Sequence, residues 1–61
     1  MTTGTRIAYT RKPYTSLRYT GTVIDVQPTF WTVQPDHTSE RVHTITLTDG
    51  EPDSDIEWRT I

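Results

Sequence analysis

The sequence contains no cysteine and few of the residues that usually build helices and large cores, with two leucines, one alanine, one lysine and one phenylalanine. Without cysteine, no disulfide can brace the chain and thiol chemistry is excluded. Apolar residues make up 31% of the 61 residues, well below the ~45–50% typical of globular chains. A chain of this length buries only about 60% of its unfolded surface. Composition alone therefore lies at the border of disorder.

Long apolar runs are also absent. No segment approaches the ~20 apolar residues that a membrane-spanning helix needs. The N-terminal region carries Arg6, Arg11, Lys12 and Pro13 and no apolar stretch of the kind found in a secretory signal peptide. We therefore expect a cytoplasmic protein without membrane contact.

Threonine is the residue that the sequence has in abundance. Fourteen threonines, five isoleucines and four valines make 23 of the 61 residues β-branched. These side chains are stiff at χ1, fit a pleated sheet and lose rotamer freedom in a helix. No long stretch places apolar side chains at helical spacing without an interrupting proline or glycine. The composition predicts an all-β chain.

Alternation of apolar and polar residues locates the strands. It predicts strands over 4–10, 19–26, 29–33, 42–48 and 55–59. Gly21 indicates a bulge or sharp bend in the second strand. Pro28 and Pro35 restrict the third to a short edge element or an extended loop. Asp49-Gly50 predicts a tight turn after the fourth.

These strands predict a small, strongly bent antiparallel barrel of four or five strands, because a chain this short cannot cover an open sheet face. We expect a single domain over 1–61, with long loops or edge segments at 11–18 and 27–41. Val23 and Ile61 are expected to join a core formed by the apolar face of each strand, namely Ile7, Tyr9, Ile24, Val26, Ile45, Leu47, Ile56 and Trp58.

Four short segments follow one another in a suggestive order: GTRIAY at 4–9, GTVIDV at 21–26, ITLTDG at 45–50 and DIEW at 55–58. Together they resemble the SH3-like barrels of the Tudor and KOW type. Such barrels often have a glycine, two residues and an aliphatic residue in the first strand, Gly-x-Val in the second and Asp-Gly at a late tight turn. The resemblance covers most of the chain and implies an SH3-like fold.

The sequence also departs from the functional patterns of these families. It lacks the Ala-Leu-Tyr-Asp-Tyr-like start and the late Pro-x-x-Tyr of peptide-binding SH3 domains. KOW domains that bind RNA are generally basic, whereas the pI of this chain is near 5.4. Since fold likeness alone is a weak guide to function, the resemblance assigns no binding residue.

Charge is divided between the two parts of the chain. Residues 1–24 carry a charge of +4 and no acid, and residues 25–61 carry −6. In the basic part, cations alternate with tyrosines, and single-stranded nucleic acid is bound through such combinations of phosphate contacts and base stacking. One hypothesis is a nucleic-acid-associated accessory protein that uses Arg6, Arg11, Lys12, Tyr14 and Arg18. The alternative is that these cations pair with the acidic part of the chain.

Phe30 and Trp31 lie between prolines in a segment expected to be exposed, and exposed aromatic side chains of this kind mark contact surfaces. One of the two rings is expected to cap the open end of the barrel. Our first functional hypothesis is a non-enzymatic binding module that binds a protein partner, or a second copy of itself, through Phe30, Trp31 and Tyr14. Chain length alone indicates an accessory protein of a phage or other mobile element.

Catalytic, cofactor and metal sites lack the residue patterns they need. There is no Gly-x-Ser-x-Gly and no glycine-rich phosphate loop. His37 and His43, with Asp36 and Glu40 nearby, do not have the tighter spacing of zinc ligands, and the acidic run over 49–57 lacks the calcium-loop glycine. A barrel of this size has little room for a pocket of several hundred Å³. We therefore expect no enzyme, no cofactor and no metal, with His43 as a partly buried packing residue.

Overall fold

The computed structural model describes residues 1–11, 19–37 and 41–61 and contains six strands, β1 (Arg6–Arg11), β2 (Tyr19–Val26), β3 (Phe30–Pro35), β4 (His43–Thr48), β5 (Glu51–Pro52) and β6 (Ile56–Thr60). They form one antiparallel sheet in the order β5-β4-β3-β2-β1-β6, which curves into a nearly closed barrel. The all-β antiparallel barrel is confirmed, with six strands instead of four or five, and it is compatible with an SH3-like fold. No helix in the described part of the chain is long and apolar enough to cross a membrane.

Strand β1 has a neighbour on each side and joins the two ends of the chain. Its Tyr9 lies opposite Tyr19 of β2 on one side and opposite Trp58 of β6 on the other. The N–H of Ile61 donates to the carbonyl of Arg6 at 3.1 Å, which extends the pairing with β6 to the last residue. Residues 7–10 are each at most 4% exposed. Both faces of β1 are therefore covered.

A β-bulge in β2 decides which of its apolar side chains reach the core. The register of pairing with β3 shifts between Val23 and Asp25, so Ile24 is an extra residue on β2. Val23 is fully buried, Ile24 is 45% exposed and Val26 packs against the core. The prediction that Ile24 is a core residue was wrong. It assumed strict alternation, which places Ile24 on the same face as Val26, and the bulge interrupts that alternation. The bulge lies here and not at Gly21.

Strand β3 lies inside the sheet, between β2 and β4. Its buried residues, Trp31, Val33 and Pro35, alternate with half-buried ones. This position corrects the expectation of an edge element or loop. Pro35 is tolerated because its missing N–H falls on the side of β4, and β4 begins only at His43, opposite Val33. No ladder hydrogen bond is lost there.

The core consists of six buried side chains, with four partly buried ones packed against them: Ile7, Tyr9, Val23, Trp31, Val33 and Ile45, then Val26, Leu47, Ile56 and Trp58. Besides Ile24, the prediction for Ile61 was wrong, since Ile61 is 58% exposed. Trp31 and Val33 were missed because the flanking prolines indicated a loop. The Trp31 ring packs edge-on against Trp58, with ring centroids 5.1 Å apart.

The turn at Asp49-Gly50 is confirmed. Thr48 pairs with Glu51 across the two residues, and φ is 53° for Asp49 and 82° for Gly50. Positive φ at both central residues is what a two-residue type I′ hairpin requires, and Asp-Gly is among its preferred sequences. This hairpin adds the two-residue strand β5 to the sheet.

Strands β2 and β3 approach each other closely at Gly21, which lies opposite Pro35. A Cβ atom at this position would lie 2.6 Å from the carbonyl oxygen of Gln34 and 2.8 Å from Cγ1 of Val33. We expect Gly21→Ala to lower the free energy of unfolding by about 1–3 kcal/mol through overpacking. Urea denaturation followed by tryptophan fluorescence measures this loss, and an unchanged unfolding midpoint would contradict it.

Candidate functional site

An open cleft of about 390 Å³ lies where β1 ends and where β2, β4 and β6 begin. Seven of the residues that line it carry its ring, apolar and cationic groups, namely Tyr9, Arg11, Tyr19, Val42, His43, Ile45 and Ile56. The cleft corrects the expectation that so small a barrel leaves no cavity of this size. The cause lies in the sheet order, since the two described strands β4 and β6 are not paired with each other and the barrel stays open between them.

Strand pairing explains why these side chains meet. On β1, Tyr9 lies opposite Tyr19 and Arg11 lies opposite Ile56, so β2 and β6 present their first residues beside the end of β1. Directly opposed residues point to the same face of a sheet. Curvature of the sheet then brings His43, the first residue of β4, to the same end of the barrel.

Three rings pack together in the cleft, and we call Tyr9, Tyr19 and His43 the aromatic cluster. The tyrosine rings are stacked, with centroids 5.5 Å apart and an interplanar angle of 23°. The His43 ring lies edge-on to both, 5.7 Å from Tyr9 and 5.0 Å from Tyr19. The Tyr9 hydroxyl and His43 Nδ1 share a hydrogen bond of 2.8 Å. Stacked and edge-to-face pairs are both favourable ring geometries.

The members of the aromatic cluster differ in exposure. Tyr9 is 4% exposed and belongs to the core, whereas Tyr19 is 38% exposed and His43 is half-buried. Tyr9 therefore fixes the position of the other two rings, and Tyr19 presents ring surface to solvent. The half-buried position of His43 matches the prediction of a packing residue.

Arg6, one of the predicted nucleic-acid contacts, is paired with a carboxylate. Its Nη1 and Nη2 donate to Oδ1 and Oδ2 of Asp36 at 2.5 and 2.6 Å, and Nη1 also donates to Thr22 Oγ1 at 3.0 Å. Thr20 Oγ1 donates to Asp36 Oδ2 at 2.7 Å. This bidentate pair links β1 to the residue that follows β3, and both Nη atoms of the Arg6 guanidinium donate to it.

Arg11 is the second described cation of the basic part, and it too has an acidic neighbour. Its Nε lies 3.5 Å from Oδ2 of Asp55, with both side chains more than half exposed. Such a surface pair is weak, so the Arg11 side chain stays available at the rim of the cleft. Arg6 and Arg11 therefore both pair with carboxylates of the acidic part, as the alternative hypothesis expected. Lys12, Tyr14 and Arg18 lie outside the described residues.

The predicted protein-binding residues do not form one exposed surface. Trp31 is 6% exposed and packs on Trp58, whereas Phe30 is half-buried. Consecutive strand residues point to opposite faces of the sheet, so Phe30 and Trp31 cannot contact the same partner surface together. Trp31→Ala would remove core packing instead of a binding contact. The third predicted residue, Tyr14, is outside the described part of the chain.

One residue of the acidic run, Asp53, contributes to the local structure around β5. Asp53 accepts a hydrogen bond of 2.7 Å from Thr48 Oγ1, and its backbone N–H donates to the carbonyl of Thr46 at 3.1 Å. The N–H of Ile56 donates to the carbonyl of Asp53 at 2.9 Å. Within the described ranges, no group of three or more histidine, aspartate or glutamate side chains is placed to hold a metal ion.

Sequence reasoning named Arg11 but missed Tyr19 and His43 as site residues. The alternation of cations with Tyr9 and Tyr19 was visible in the sequence, but it was interpreted as a run of neighbouring residues along the chain and not as side chains that meet across the barrel. The cluster needs β4 to lie opposite β1 and β2 across the barrel, which no local spacing shows. His43 carries no sequence signal that separates it from a core position.

The chain matches no protein-family model, no curated protein and no solved structure. Only the geometry of the cleft therefore points to a function.

The Arg6–Asp36 pair predicts an acid-dependent loss of stability. Hydrogen bonds from Arg6 and then Thr20 lower the pKa of Asp36 from 3.8 to about 2. A carboxyl group whose pKa is lower in the folded state stabilises the fold above its unfolded pKa, and this contribution is lost as pH falls through the folded pKa. We expect the free energy of unfolding to decrease between pH 3.8 and about 2, and to decrease less in Asp36→Asn.

Urea titrations at several pH values within this window measure the difference. Asp49→Asn is the matched control, because it removes a carboxylate that has no arginine partner among the described ion pairs. Equal pH dependence in wild type and Asp36→Asn would contradict the role of the pair.

Proposed function

We propose that this chain is a non-enzymatic binding module that binds a segment of a protein partner in the cleft beside the aromatic cluster. The observation that carries the proposal is the exposed face of Tyr19, held in place by the buried Tyr9 and by His43. Rings fixed in this way give contact area at small conformational cost, and tyrosine is enriched among residues that dominate binding energy.

The other walls of the cleft favour a peptide-like ligand. Val42, which is 46% exposed, and the half-buried Ile56 supply apolar surface, and Arg11 supplies a cation at the rim. A cleft that combines apolar surface with a few convergent polar groups is a common form of binding site. The partner segment is therefore expected to combine an apolar or aromatic side chain with an acidic one.

A Tudor- or KOW-type relationship is part of this proposal. It is supported by the glycine, aliphatic and Asp-Gly motifs of the sequence and by a barrel compatible with an SH3-like fold. It assigns no ligand, since the same barrel serves many unrelated functions.

Nucleic acid is the second candidate, and one observation favours it. The Tyr19 ring and Arg11 line the same cleft, and a base could stack on the ring while the cation meets a phosphate. Against it, Arg6 is bound to Asp36 and the chain has a net charge of −2. The protein ligand is therefore the stronger candidate.

Display selection from random linear peptides tests the first candidate. We expect wild type to enrich peptides whose affinity falls at least about tenfold for Tyr19→Ala, because truncating a central aromatic contact costs more than 1.4 kcal/mol. Phe30→Ala is the matched control and is expected to bind like wild type. Circular dichroism of each variant establishes that the barrel is folded, and Tyr19→Phe, which keeps the ring, is expected to retain most of the affinity.

Other outcomes would change the assignment. Peptides that lose affinity for Phe30→Ala but not for Tyr19→Ala would place the site on the surface predicted from sequence. Binding of an oligothymidine strand that weakens steeply with salt, together with failure to enrich peptides, would favour the nucleic-acid candidate.

A further inference from the structure

Strand β6 forms one edge of the sheet, and apart from the charges of Glu57 and Arg59 this edge lacks the features that usually protect an edge. Its five residues, IEWRT, contain no proline, glycine or lysine and no bulge. Natural edge strands are commonly protected by such features, because unpaired N–H and C=O groups invite pairing with another chain. The opposite edge differs, since β5 has only two residues and one of them is Pro52.

The backbone pattern shows which groups β6 leaves unpaired. The bond from Ile61 N–H to the Arg6 carbonyl makes that pair a hydrogen-bonded one, and hydrogen-bonded pairs alternate with non-hydrogen-bonded ones along an antiparallel ladder. The register with β1 then directs the backbone groups of Glu57 and Arg59 toward β1. The groups of Ile56, Trp58 and Thr60 point away from β1.

One of these outward groups is already satisfied within the chain. The N–H of Ile56 donates to the carbonyl of Asp53 at 2.9 Å, which agrees with the direction inferred from the ladder. The N–H and C=O groups of Trp58 and Thr60 remain directed toward the edge, where no strand of residues 1–11, 19–37 and 41–61 pairs with them.

The two charged side chains of β6 have no ion-pair partner in the described part of the chain. Glu57 lies opposite Thr10 and Arg59 lies opposite Ala8 on β1, so neither faces a charge there. Both are exposed, and the described ion pairs involve neither of them. Opposite charges thus stand two residues apart on one face of a free edge, symmetrically about Trp58.

We propose that β6 pairs antiparallel with β6 of a second copy of this chain, about a two-fold axis at Trp58. In this register Trp58 lies opposite Trp58 of the second copy, and their outward N–H and C=O groups form two reciprocal hydrogen bonds. Glu57 lies opposite Arg59 of the second copy, and Arg59 opposite its Glu57. These are non-hydrogen-bonded pairs, in which the side chains of the two strands come closest.

The choice of a second copy over another strand follows from this charge symmetry. A two-fold axis places identical surfaces against each other. A strand with a single charge at the axis would then meet the same charge on the second copy, and a single charge away from the axis would meet no opposite charge. In β6 the two-fold axis at Trp58 forms two acid–base pairs, each between Glu57 of one copy and Arg59 of the other. The dimer also closes the free edge, so it does not continue into a fibre.

Charge reversal tests the register, with the mass in solution measured by native mass spectrometry and sedimentation over a wide concentration range. Glu57→Arg and Arg59→Glu each set like charges against one another, and each is expected to weaken dimerisation by about tenfold or more. The double variant Glu57→Arg with Arg59→Glu restores both pairs and is expected to dimerise like wild type. An equimolar mixture of the two single variants is expected to form a heterodimer.

Cysteine substitution gives a second, independent measurement, because the natural chain has no thiol. A mixture of Glu57→Cys and Arg59→Cys is expected to form a mixed disulfide faster than either variant forms a disulfide with itself. Circular dichroism of every variant confirms that the barrel is intact.

Two outcomes would overturn the proposal. One is a wild-type chain that remains monomeric at the highest concentration reached. The other is a dimer whose affinity is the same in both single charge reversals. Ile56 of β6 also lines the cleft, but the two proposals are tested separately, because the peptide selection is carried out with Tyr19 and Phe30 variants that leave β6 unchanged.

Discussion

Backbone hydrogen bonds on both sides of β1 hold this small barrel together. They join β1 to β2, which follows it in the chain, and to β6, which comes last. Four consecutive β1 residues are buried. Tyr9 is among them, so the strand that joins β2 to β6 also supplies the fixed ring of the aromatic cluster.

In the proposed site, one side chain serves both stability and binding. Tyr9 packs in the core, stacks on Tyr19 and hydrogen-bonds His43. In a chain with so few apolar residues, a separate set of rings for a binding site would leave the core too thin. The exposed ring of Tyr19 is positioned at little cost because the core residue beneath it is already ordered.

Only part of the cleft was accessible to prediction. The sequence placed Tyr9 in the core and Arg11 near a binding surface, because alternation and charge are local properties. Phe30 and Trp31 were expected in an exposed segment, with one ring capping the barrel, whereas β3 lies inside the sheet and Trp31 is buried in the core. The contact of His43 with the tyrosines depends on β4 lying across the barrel from β1 and β2. The spacing of residues along the chain does not show that these strands come close together.

The all-β class, the approximate positions of the strands and the turn at Asp49-Gly50 could all be predicted from the sequence. Those properties follow from β-branched composition, alternation and the φ values that glycine and aspartate accept. The burial of Val23 instead of Ile24, and the place of Pro35 in an interior strand, could be seen only in the folded chain. Both depend on pairing between strands, because a bulge is defined by the partner's register and a missing N–H matters only where an acceptor faces it.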